Sequence, residues 1–175
     1  MDTSTPTSTD AQQAPPEPGQ RILETVREQA AAIDALFGIA KQIVRVFDVD
    51  LSQTGWNTAD RVERITAFLR RDRNARLEII VHDTRYIESE CARLAILLRN
   101  YSHAITLYRT GFEAAGAMDP LVVVDGRHFL HRFHWDGPRA SLGIEQPIAA
   151  GPLDTRFEEI WATGQPGLSA TVLGL

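Results

Sequence analysis

The sequence predicts an α/β fold: a mixed, mainly parallel sheet with helices on both faces. Two observations predict it. Segments with strand composition alternate with segments of helical apolar spacing, and such alternation builds parallel sheets, because a crossover helix returns the chain to the same end of the sheet. Against that trend, Asp125-Gly126 stands between the apolar runs "LVVV" and "RHFLHRFHW", a pair suited to the positive φ angles of a two-residue hairpin turn. With 175 residues, 43% of them hydrophobic, the chain can bury one core, and one domain is expected.

Residues 1–20, rich in Ser, Thr, Gln and Pro, carry too little apolar surface to offset the entropy of ordering and read as a disordered leader or linker. Ile22, Val26, Ala30, Ile33 and Phe37 then fall on one helical face that ends near Gly38. "IVRVFDVDL" (43–51) reads as a strand. Asn57 or Thr58 caps a helix over 58–71, with Val62, Ile65 and Leu69 inward. A second unit repeats the pattern: "ARLEIIVHD" (75–83) is a strand, and Ile87, Cys91, Leu94 and Leu98 form the stripe of the following helix. Strands at 104–109 and 120–124 flank a small-residue loop, and the Asp-Gly turn makes 127–135 an antiparallel strand. Thr155 and Glu158 stand in capping-box relation before a last helix whose inner face is Phe157, Ile160 and Trp161. The domain is expected over 21–163, with 164–175 a C-terminal tail.

A net charge of −5 makes the whole chain repel phosphate backbones and anionic lipid, so nucleic-acid and membrane partners are not expected. Arg61, Arg64, Arg70, Arg71, Arg73 and Arg76 form a basic run, but Asp60, Glu63, Asp72 and Glu78 are interleaved with it, and it reads as a solvated face. The single cysteine, Cys91, lies on an apolar stripe, which excludes an internal disulfide and suits an inert, buried thiol. The first residues have neither a basic nor an apolar signal region, and no apolar run approaches the roughly 18–20 residues a membrane helix needs. A cytoplasmic location is expected.

His128, His131 and His134 form an H-x-x-H-x-x-H pattern. On a strand, alternation sends His131 to the face opposite the other two, so the three cannot chelate one ion, and neither metal nor cofactor is expected. Asp125 reads as turn chemistry. Loops after parallel strands form the edge where such sheets bind ligands. The candidate binding cleft is therefore Asp48, Asp50, Trp56, His82 and Asp83, extended by Asp125, His131 and His134.

The order of elements, "VVVDG" at the hairpin and "SLGIEQPIA" leading to "RFEEIW" resemble one half of the phospholipase D superfamily fold over about residues 20–163. That resemblance implies the signature H-x-K-x-x-x-x-D, in which a histidine attacks phosphorus and a lysine holds the phosphate oxygens. Aligning its aspartate with Asp125 puts Met118 at the histidine and Pro120 at the lysine; the chain's one lysine, Lys41, lies far upstream, and the family's G-S/T-x-N stretch falls on "RFHW". Neither methionine nor proline can do the chemistry required. The resemblance thus implies a catalytically inactive binding or accessory module of bacterial type, with an acetyltransferase-type partner domain. It also implies a homodimer, through apolar surface at Phe112, Met118, Phe129, Phe133 and Trp135. Alternatives are a hydrolase or transferase acting on a phosphate-containing substrate through non-standard histidines, and a nucleic-acid-binding module.

Overall fold

The structure, a computed structural model, describes residues 14–168. Its strands are β1 (Gly19–Leu23), β2 (Ile43–Asp48), β3 (Arg76–Val81), β4 (Ile105–Arg109), β5 (Leu121–Val124), β6 (His128–Arg132), β7 (Ala140–Ile144) and β8 (Gln165–Pro166). Its helices are α1 (Val26–Ile39), α2 (Ala59–Arg71), α3 (Arg85–Glu90), α4 (Ala92–Asn100) and α5 (Pro147–Trp161). The strands form one sheet in the order β1-β7-β6-β5-β2-β3-β4-β8.

Strand alternation divides the core in two. Val44, Val46, Leu77, Ile79, Val122 and Leu130 pack with the inner faces of α1, α2 and α4. Phe47, Ile80, Leu121, Val123 and Phe129 pack with Ala150, Phe157 and Ile160 of α5 on the other side. The mixed sheet with helices on both faces is thus as expected, but it is not mainly parallel. Only β2/β3 and β3/β4 are parallel; the other five pairings are antiparallel. The reason is local: after β4 the chain makes no further crossover helix between neighbouring strands, and β5, β6 and β7 follow one another through short turns.

Several boundaries differ from expectation for identifiable reasons. The first helix starts at Val26, because Thr25 and Glu28 complete a capping box there. Gly19 to Leu23, read partly as leader, instead pair with β7 as an edge strand. Residues 1–13 of the leader and 169–175 of the tail lie outside the described residues. The helix after β3 breaks at Cys91, whose φ and ψ of −105° and 52° are not helical. The strand carrying the histidines stops at Arg132, so His134 is in a loop. The last helix begins at Pro147, where a missing N–H costs nothing. Thr155 is therefore mid-helix and caps nothing. Gly151 and Pro152 had hidden that start, since both disfavour helix interiors.

Candidate functional site

The carboxyl ends of β2, β3 and β4, the start of β5 and the end of β6 meet at one edge of the sheet. On the α1 side of this edge, Asp48, Pro120 and Arg132 share a void of about 20 Å³ with Gln29, Thr54 and Trp56, room for about one water-sized group. Arg132 N–H donates to Pro120 O at 2.8 Å, which makes the two residues cross-strand neighbours. The Arg132 Nε donates to Gly137 O at 2.7 Å and Gln29 Nε2 to Pro138 O at 2.6 Å. Two buried side chains thereby pin the loop 133–139 over the void. Burial pushes the Asp48 carboxyl up to about 7, against the opposing pull of the Val49 N–H and the Arg132 charge.

On the α5 side of the same edge, Asp119 accepts from His131 Nε2 at 2.8 Å and from Arg156 Nε at 2.9 Å. Burial alone would raise its carboxyl; the bonds from Arg156 and His131 outweigh that and hold it below the usual range. An ionised Asp119 can only accept, so His131 donates from Nε2.

The structure brings together part of the expected cleft. Trp56 is close to Asp48 but only 1% exposed: its indole donates to Thr54 at 2.9 Å, the Arg61 guanidinium lies 5.0 Å over its ring, and Phe37 meets it edge-on. It is core rather than cleft wall. Asp50 is turned to its own loop, accepting from Ser52 N–H and Oγ. Both ring nitrogens of His82 are engaged, with Thr110 Oγ1 and Ala117 O, each at 2.6 Å. Asp83 is held below the usual carboxylate range by the bonds from Arg85 beside it. His134 is exposed, and its Nδ1 accepts from Asp136 N–H at 3.2 Å.

Asp125 does not belong to the cleft. It sits at the opposite edge, where its carboxylate accepts from the N–H groups of Lys41, Gln42 and Ile43 at 2.8–2.9 Å, and its φ is 52° with Gly126 at 66°. His128 is at that edge too, accepting from Glu145 N–H at 3.0 Å. Gln29 and Arg156 were not anticipated. Gln29 carried a signal, a polar side chain on the apolar stripe with Ile33 and Phe37; Arg156 carried none, since its partner is 37 residues away. Among the described residues no group of three or more His, Cys, Asp or Glu could hold a metal ion, and no helix is long and apolar enough to cross a membrane.

A family model described as a domain of unknown function (DUF7931) matches residues 25–170. No curated protein matches the sequence. Among solved structures, TrmBL2, an archaeal chromatin protein with a novel mode of DNA binding, is similar at a TM-score of 0.64 and 10% identity; the match covers 86% of this chain and 55% of TrmBL2, so the chain spans about half of that protein's length. Nuc from Salmonella typhimurium, a phospholipase D family member, is similar at a TM-score of 0.60 and 15% identity, covering 87% of this chain and 100% of Nuc. NucT from Helicobacter pylori follows at 0.54 and 11%, covering 86% and 99%. The fold is phospholipase D-like.

Proposed function

The chain belongs to the DUF7931 family, and from that premise we propose that it is a phospholipase D-like binding or accessory module that does not turn over phosphodiesters. One observation carries the reading: the void at the carboxyl edge, flanked by Asp48, Pro120 and Arg132, has no imidazole and no lysine among its lining residues. Met118 and Pro120 stand where the superfamily signature has its histidine and lysine. A guanidinium can hold an anion, but the imidazole that attacks phosphorus in the superfamily and the lysine that holds the phosphate oxygens are both missing from the lining. Mass spectrometry of the intact chain, quenched after exposure to a p-nitrophenyl phosphodiester, tests this: the expected mass is that of the unmodified chain, and a phosphoryl adduct on any histidine would refute it.

The second reading, hydrolysis through non-standard histidines, is favoured by the Asp119–His131 pair, a base oriented by a carboxylate. That pair lies on the α5 face, where Arg156 is already bound to the same Asp119 carboxylate, whereas the void with Arg132 lies on the α1 face, so the base does not converge with the cation of the void.

The module reading includes self-association. Phe112 is 91% and Phe133 47% exposed, with Met118 and Trp135 half-buried nearby in sequence; Phe129, expected in the same surface, is in the core instead. Burying these exposed apolar side chains against a second copy is the simplest remedy. Sedimentation at micromolar concentration should give twice the chain mass, and Phe133→Glu should restore the monomer. A single-chain mass that does not rise with concentration would exclude the dimer. An acetyltransferase-type partner is carried by the superfamily resemblance alone.

A further inference from the structure

Most of the arginines that looked diluted by acids in the sequence are separated from them in the fold; Arg71, which lines a hollow with Asp60 and Glu63, is the exception. Arg61 pairs with Asp34, with Arg64 on the same carboxylate, and Glu78 turns to Arg45 on the α5 face. Asp60 and Glu63 line one hollow with Arg64 and Arg71 on the α1 side of α2, away from Arg70, which turns to Tyr101. What remains is the end of α2, the turn into β3, and α4. Across 70–77 and 91–104 there are six arginines (Arg70, Arg71, Arg73, Arg76, Arg93 and Arg99) against one carboxylate, Asp72.

All six are exposed. Asp72 is occupied in accepting from the Asn74 N–H at 2.8 Å. Among the described residues none of the six arginines has an ion-pair partner, whereas Arg45, Arg61, Arg85, Arg127, Arg139 and Arg156 all do. Their hydrogen bonds go to neutral groups: Arg70 to Tyr101 Oη, Arg71 to Gly38 O and Ala40 O, Arg76 to Ala75 O, Arg93 to Asn57 O. Such bonds fix direction without cancelling charge. The first of them ties α2 to the end of α4, and Leu77 N–H to Ala104 O at 2.9 Å joins the two turns. The six charges therefore share one side of a chain whose net charge is −5.

We propose that this face docks on the phosphate backbone of duplex DNA, without reading bases. Guanidinium forks match phosphate oxygens, and a patch with six arginines to one carboxylate on an acidic chain is the charge complement of a polyanion. A single strand fits less well, because stacking platforms are needed and Tyr101 is half-buried with its hydroxyl engaged. An anionic membrane fits less well too, since Ile96 is the only large apolar side chain of α4 exposed. The proposal does not rest on the reading of the carboxyl edge, and hydrolysis found there would leave it standing.

Fluorescence anisotropy of a labelled random-sequence duplex with the full chain, between 50 and 200 mM salt, tests it. Four to six phosphate contacts give a log–log salt slope of about −4 to −5. Arg73→Glu with Arg99→Glu, two side chains with no hydrogen bond to lose, should weaken binding at least tenfold and flatten the slope by about 2. Arg21→Glu with Arg27→Glu, equal in charge but placed on β1 and α1, should change affinity less than about twofold. No binding at 50 mM salt overturns the proposal, as does equal loss in both double variants. Arginine-dependent binding to phosphatidylserine vesicles without duplex binding overturns it in favour of a membrane surface.

Discussion

Asp48 shows what a residue's surroundings do to its chemistry. It ends β2 at the carboxyl edge, 5% exposed, and burial raises its carboxyl to about 7. A carboxyl whose folded value lies above its unfolded one binds more protons in the folded state, so it lowers stability as pH rises from about 4 through about 7, and the loss is complete above that. Asp48→Asn should remove this component: denaturant titrations from pH 5 to pH 8 should show wild type losing ground to the variant, by on the order of 3 kcal/mol at most, from a shift of about 3 pH units. A difference constant with pH would show the carboxyl to be ionised throughout. Trp56 shows the limit of reading residues singly. Its loop position suggested a cleft wall, but its burial depends on Phe37 and Arg61, contributed by other elements, and no local pattern encodes that.

At the scale of elements, what was legible was what local chemistry dictates. The β5–β6 hairpin followed from Asp125-Gly126, and α2 from Thr58, whose hydroxyl accepts from Arg61 N–H. What was not legible depended on distant partners: β1 is a strand only because β7 lies beside it, and β5 runs antiparallel to β2, with which it pairs across more than 70 residues of sequence. The hairpin turn also joins elements far apart in sequence, since Asp125 receives three N–H groups from the start of β2. Asp125→Ala removes both acceptor oxygens, leaving three N–H groups without their partner, and puts a less tolerant residue at positive φ. It should cost about 2–4 kcal/mol by chemical denaturation, while Asp125→Asn, which keeps an acceptor and tolerates that φ, should cost about half as much. Equal losses would mean that the charge alone matters.

At the scale of the molecule, a phospholipase D-like sheet presents two chemically different sides at one edge. One holds Arg132 and Asp48 around a nearly closed void; the other holds His131 on Asp119. The proposed absence of turnover is compatible with this fold, because the core residues of β2, β3 and β5 do not include Met118 and Pro120. The central claim is that this edge binds without catalysing, and the most direct measurement is turnover. The purified chain, at high micromolar concentration, is incubated with a chromogenic phosphodiester and with phospholipid across pH 5 to 8. The account predicts release no faster than in buffer alone at every pH. Turnover that disappears in His131→Ala, with the fold retained, would contradict it and assign the reaction to the Asp119–His131 pair.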